Sequence, residues 1–182
     1  MKLEELIKAE AKRLYKQLKP IYIESYIKGA QDAEKVLKKV LDYESLYEEA
    51  VGYYNEQGDW IVDQFADVDA ELLHTKLNLA IAQGHSFSQF WTNVQHSGMF
   101  SYDRAKRIYR TETARAYNEG ALRQYHKEGV KMVDILLGPN PCPICSSFAS
   151  ASPFKTEDLF GVLPIHPNCA CVMVNSSVVP KQ

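Results

Sequence analysis

The C-terminal part of the chain, after Gly129, is the region whose sequence most restricts its fold. Prolines recur there at Pro139, Pro141, Pro143, Pro153, Pro164 and Pro167. A proline inside a helix removes a backbone hydrogen bond and clashes with the preceding turn, so we expect no regular helix in this region. Two apolar runs, MVDILL at 132–137 and CVMV at 171–174, are typical of short strands. Residues 130–182 are therefore predicted to form a small, irregular module that contains β-structure.

The residues before Gly129 have the opposite pattern. Apolar side chains recur there every three to four positions, as in amphipathic helices. Pro20 and Gly58 are expected to separate the first helices, and Gly129 is expected to end a long helix that begins after Ser101. The predicted fold class is α+β: a mostly helical body with a zinc-stapled or thiol-rich C-terminal β module packed on the long helix. The predicted divisions are N-terminal helices at 1–65, a second helical part at 66–129 and the module at 130–182.

Composition and charge exclude several classes of protein. The 182 residues are 46% hydrophobic and 24% charged, which is ordinary for a globular chain. The net charge of −2 provides no overall basic field, so any contact with DNA must come from a local patch. The first residues interleave charged and apolar side chains, unlike a secretory signal, and no apolar run is long enough to span a membrane. We expect a protein without membrane partners, in a compartment that keeps thiols reduced.

All four cysteines lie in the tail, in CPIC at 142–145 and HPNCAC at 166–171. A gap of two residues suits a tight turn that directs two ligands to one tetrahedral ion. Five donors compete for four positions, and the preferred set is Cys142, Cys145 and Cys169 with either His166 or Cys171. Such a closed site would hold a structural zinc ion and would not catalyse a reaction. The alternatives are two disulfides or four reduced thiols packed in a core.

A second pattern raises an enzymatic alternative. His126 and Glu128 form H-x-E, and Pro141 to Cys145 form P-C-x-x-C, in the order found in zinc-dependent nucleobase deaminases. The histidine, however, falls at the predicted end of a helix, and little chain separates Glu128 from Pro141. No nucleophile elbow, phosphate-binding glycine loop or paired carboxylate site is evident. We therefore expect no enzymatic activity and no small-molecule substrate, with the deaminase, or another nucleic-acid enzyme, as the alternative.

Four segments in this order resemble a known family. They are AIAQGHSFSQF, RIYRTETARAYNEGALRQYHKEGV, CPIC and LPIHPNCACV, and they span roughly residues 70–175. Together they resemble the phage head-morphogenesis family, minor head proteins similar to the F protein of phage Mu. The resemblance implies a phage or prophage protein of capsid assembly, with the portal and other head proteins as partners. It would lie in the virion interior or, before assembly, in the bacterial host cytoplasm. Residues 1–65 lie outside the resemblance.

The long helix carries the residues that match the family's helical motif, namely Arg110, Thr111, Glu112, Arg115 and Asn118. Glu112 and Arg115 are spaced for an ion pair, as are Arg115 and Glu119. Because Glu112 continues an apolar row of the helix, its carboxylate is expected to be partly buried and paired with an arginine. These ion pairs are predicted to be structural and to fix how the helix docks on its neighbours or on the tail.

The same helix has an excess of basic residues near its start. Arg104, Arg107 and Arg110 are candidates for contacts with DNA phosphates. A basic run on a helix more often forms a solvated face, and this alternative stays open.

Overall fold

A computed structural model describes residues 3–38, 41–58, 63 and 102–178. Its helices are α1 (Leu3–Leu37), α2 (43–58), α3 (Tyr102–Lys127) and α4 (Pro143–Ser150), and its strands are β1 (Met132–Leu136), β2 (Phe154–Lys155) and β3 (Val172–Asn175). Single 3-10 turns follow β2 and β3. The helical body and the small C-terminal sheet confirm the predicted α+β class. The part of the predicted helical body from residue 66 to residue 101 lies outside the described residues.

The chain packs as two compact units. One comprises residues 1–19 and 55–106, and the other comprises Pro20–Tyr54 and Arg107–Gln182. The second unit is therefore built from two segments that are distant in sequence. All the candidate site residues except Arg104 belong to it. The division of the chain at residues 65 and 129 stays a prediction.

Pro20 lies inside α1 and does not interrupt it. The expectation that Pro20 separates two helices was wrong. A proline inside a helix costs about 3 kcal/mol. Buried apolar residues continue on both sides of it, at Leu18 and Tyr22, while Pro20 itself is exposed. Packing of the apolar face therefore outweighs the missing hydrogen bond.

Helices α1 and α3 touch through their backbones. A Cβ atom on Gly29 would lie 1.9 Å from the carbonyl oxygen of Tyr117, and one on Gly120 would lie 2.0 Å from the carbonyl oxygen of Tyr26. Neither position has room for a side chain, so both require glycine. Helix α2 packs on the same pair of helices through Tyr53, whose ring centroid lies 5.5 Å from that of Tyr26.

Gly129 ends α3, as predicted. It has a positive φ of 74°, which glycine adopts without strain. Its N–H donates to the carbonyl of His126, and the next N–H, of Val130, donates to the carbonyl of Tyr125. These two bonds form a Schellman motif that closes the helix and turns the chain into β1.

The sheet is antiparallel, with β1 between β2 and β3. Alternate residues of β1 and β3 face α3, so Val133, Ile135 and Met173 are buried against Leu122 and Tyr125. The predicted strands at 132–137 and 171–174 are confirmed to within one residue. Helix α4 was not expected, because prolines were taken to exclude helices from the tail. Pro143 stands at the start of α4, where the missing N–H costs nothing.

Candidate metal centre

The CPIC segment presents two thiols on the first turn of α4. Cys142 is the N-cap residue, and its sulfur accepts a hydrogen bond of 3.4 Å from the backbone N–H of Cys145. Cys142 is half-buried, whereas Cys145 points into the core of the tail and is 3% exposed. The Cys-Pro start of a short helix thus directs both sulfur atoms to one place.

The HPNC segment forms a tight turn on the opposite side of Cys145. The N–H of Cys169 donates to the carbonyl of His166 at 3.1 Å, and Asn168 has a positive φ of 65°. The Nδ1 atom of His166 lies 2.8 Å from the carbonyl oxygen of Pro167. A carbonyl oxygen only accepts, so Nδ1 carries the proton. In the neutral ring the Nε2 atom then has a free lone pair, as a metal ligand requires.

The two segments meet around Cys145. The Nε2 atom of His166 lies 3.2 Å from the Cys142 sulfur and 3.0 Å from the Cys145 sulfur, and the Cys145 and Cys169 sulfurs are 3.7 Å apart. Two triads of donor atoms result, Cys142 with Cys145 and His166, and Cys145 with Cys169 and Cys171. All four cysteines are free thiols. The five donors named from the sequence therefore converge, and the cluster could hold a metal ion.

The thiols of this cluster differ in their acidity. The backbone N–H of Cys145 lowers the pKa of Cys142 to about 7. Burial raises the pKa of Cys145 and also that of Cys171, where the N–H of Gly138 opposes the increase. A bound cation would offset the cost of ionising the buried thiols, because coordination deprotonates a thiol.

Two side chains of the helical motif on α3, Thr111 and Asn118, form hydrogen bonds with the backbone next to the cluster. The hydroxyl oxygen of Thr111 accepts from the N–H of Asn168 at 3.1 Å. The amide of Asn118 accepts from the N–H of Met173 at 2.9 Å and donates to the carbonyl of Cys171 at 3.1 Å. Asn118 therefore bonds to the outer edge of β3 as a neighbouring strand would. Both residues were recognised as motif positions, but these bonds were not predicted.

The acidic residues of the motif are buried. Glu112 is 4% exposed and accepts from the Nε atom of Arg115 at 3.1 Å; burial raises the pKa of its carboxyl group. Glu119 accepts from the Nε atom of Arg123 at 2.8 Å and from the N–H of Gly161 at 3.2 Å. Glu119 thus links α3 to the tail. An ion pair between Arg115 and Glu119 stays a prediction.

Arg115→Gln is expected to lower the free energy of unfolding by about 1 to 2 kcal/mol at pH 7.5, because the buried Glu112 carboxylate loses its cation. The folded pKa of Glu112 would rise further above its unfolded value. The stability of the variant would then fall as the pH rises from the unfolded pKa of Glu112 to its folded pKa, and it would recover as the pH falls. Urea unfolding at pH 4.5 and 7.5 measures the difference. A loss of equal size at both pH values would contradict the assignment, and Glu112→Gln combined with Arg115→Gln should restore most of the loss.

Two of the three arginines named from the sequence as DNA contacts have described side chains. Arg107 and Arg110 are exposed on α3, and the side chain of Arg104 lies outside the described residues. Arg110 borders an open groove of about 1070 Å³ that is also lined by the exposed tyrosines Tyr43, Tyr47 and Tyr109. Contact of these arginines with DNA stays a prediction.

The histidine and the glutamate of the enzymatic alternative lie at the end of α3 and in the turn that follows it. His126 packs edge-on against the ring of Phe160, with ring centroids 5.5 Å apart. Glu128, in the turn after α3, accepts from the amide of Gln124. Both side chains are exposed, and neither belongs to the donor groups found among the described residues.

These features define a class of protein: a helical body whose long helix carries a small Cys/His module. The family model described as Phage Mu protein F like protein matches residues 71–174, more than half of the chain. The chain belongs to this family, which is associated with phage head morphogenesis. Searches of the curated proteins and of the solved structures find no match. None of the described helices is both long and apolar enough to cross a membrane.

Proposed function

We propose that this chain is a non-enzymatic minor head protein that acts in the assembly of a phage or prophage capsid and contacts the portal. The match over residues 71–174 carries this proposal. The way α3 binds the tail supports it, because Thr111, Asn118 and Glu119 each bind a backbone N–H of the tail. The protein would act in the host cytoplasm and remain in the virion interior.

We further propose that the Cys/His cluster binds one structural zinc ion. Zinc–sulfur bonds of about 2.3 Å place two sulfurs of a tetrahedral site about 3.7 Å apart. The Cys145 and Cys169 sulfurs have this separation of 3.7 Å. Thiolates and imidazole, the donor groups of this cluster, are also the ligands that zinc prefers. Zinc would join α4 to the segment before β3 and add to the apolar contacts between them.

The ligands that fit best are Cys142, Cys145, His166 and Cys169. They belong to two tight turns that face each other, and the Nδ1–H of His166 already has an acceptor in the Pro167 carbonyl. Cys171 is the fifth donor. Its sulfur accepts from the N–H of Gly138, and its backbone is held by Asn118. A site with four protein ligands leaves no position for a substrate, which favours a structural role over the deaminase alternative.

Co-purification with the portal protein encoded in the same phage genome tests the proposed function. The full chain, tagged and co-expressed with that portal, is expected to retain it through size-exclusion chromatography. The tag alone should retain none. Failure to retain the portal or any other head protein of that phage would contradict the assembly role, whatever the metal content of the chain.

A further inference from the structure

The four thiols of the cluster differ in access to solvent. Cys145, Cys169 and Cys171 are each 3% exposed, whereas Cys142 is half-buried and stands among the exposed residues Pro141, Pro143 and Ile144. A dissolved reagent therefore meets the sulfur of Cys142 first. Thiol–disulfide exchange requires access to the attacking sulfur, so reaction at this cluster should begin at Cys142.

A second thiol lies where it can complete an exchange that begins at Cys142. Cys145 is in the same donor triad, with all ligand atoms within 4.8 Å of one another, and its N–H already contacts the Cys142 sulfur. Cys169 and Cys171 belong to the other triad. Any adduct on Cys142 is thus adjacent to one buried thiol, which is protected from reacting directly with the reagent.

From these observations we propose that Cys142 is an exchange site for low-molecular-weight disulfides, and that the reaction releases the metal ion. The Cys142 thiolate attacks one sulfur of the disulfide RSSR, and one thiolate RS⁻ leaves. The Cys145 thiolate then attacks the Cys142 sulfur of the mixed disulfide and displaces the second RS⁻. Two protein thiolates are oxidised to one disulfide, and RSSR is reduced to two thiolates.

The metal ion loses two of its ligands in this reaction without changing its own oxidation state. His166, Cys169 and Cys171 remain, and three donors form no closed tetrahedral site. The tail would keep the metal ion that joins its two Cys/His segments under reducing conditions and lose the ion in an oxidising medium. This inference rests on the proposed metal centre only for the release of the ion, because the exchange itself needs only the thiols.

Glutathione disulfide is the reagent for the test, with the purified full chain. The zinc content is measured before the reagent is added, which tests the metal centre by itself. On addition, the zinc-loaded chain should release its ion to a chromogenic chelator while peptide mapping finds a bond between Cys142 and Cys145. In the metal-free chain the same bond should form, so the exchange is decided even if no zinc binds.

Variants of the metal-free chain separate the two steps. Cys142→Ser should slow glutathione incorporation by about 10-fold or more, because only buried thiols remain. Cys145→Ser should accumulate the mixed disulfide at Cys142. Ser146→Ala, an exposed position on the same helix, should react as the unchanged chain does. First incorporation at Cys169 or Cys171, or zinc release without a bond between Cys142 and Cys145, would overturn the proposal.

Discussion

Replacing Cys145 by serine is expected to abolish metal binding and to destabilise the tail. Cys145 belongs to both donor triads, so neither triad survives its loss. Structural zinc sites contribute an apparent ~10 to 16 kcal/mol in small peptides, which is comparable to the stability of a whole domain. We expect the zinc content to fall from about one ion per chain to nearly none. Amide hydrogen exchange in β1 and β3 should accelerate by several orders of magnitude.

Cys171→Ser is the matched control for this experiment. Cys171 is as buried as Cys145, at 3% exposure, and both belong to the same core cluster. The cost of placing a hydroxyl in the core is therefore similar in the two variants, and only the number of lost ligands differs. The control should retain about one zinc per chain. Retention of zinc by Cys145→Ser, or its equal loss from both variants, would contradict the proposed ligand set.

Asn118→Leu is expected to have the second largest effect, a loss of about 3 to 5 kcal/mol in the free energy of unfolding. Leucine has the same number of heavy side-chain atoms as asparagine but leaves the N–H of Met173 and the carbonyl of Cys171 without their partners. Each buried polar group left unpaired costs about 1 to 3 kcal/mol. Urea unfolding at pH 7.5 measures the loss, and amide exchange at Met173 should accelerate most.

Gln124→Leu provides the comparison for Asn118→Leu. Gln124 is also a buried amide of α3, at 4% exposure, but its amide donates to the side chain of Glu128, four residues further along the chain. The loss should be below about 1 kcal/mol, because neither bonding group is a strand backbone atom. If both substitutions cost the same, the bonds between Asn118 and β3 contribute nothing specific to docking of the tail.

Local signals in the sequence predicted part of this architecture. Gly129 was correctly placed at the end of α3, because a helix end depends on neighbouring residues and on a φ that glycine favours. The two strands were found from their apolar runs. Pro20 and Pro143 were misread, since the cost of a proline depends on its position in the helix and on the packing around it. Spacing alone could not supply either of these facts.

In the candidate site, too, the sequence indicated the local features and missed the contacts between distant residues. The gap between Cys142 and Cys145 and the gap between His166 and Cys169 indicated two tight turns, because such turns are local. The contacts of Thr111 and Asn118 with the tail join residues more than fifty positions apart. No periodicity specifies such a contact. The crossing between α1 and α3 was not predicted from Gly29 and Gly120 either, since a glycine in a helical sequence usually indicates only a weak helix former.

The second unit has a consequence for synthesis of the chain, because it is assembled from Pro20–Tyr54 and Arg107–Gln182. Gly29 leaves the ribosome long before Gly120, the residue against which its helix must pack. At about 5 to 20 residues per second, the nascent α1 waits several seconds for this partner. During that time its buried tyrosines can be covered by α2, whose Tyr53 contacts Tyr22 and Tyr26, but not by α3. His166 and Cys169 emerge after Cys142 and Cys145, so an ion can complete this site only after Cys169 has been synthesised.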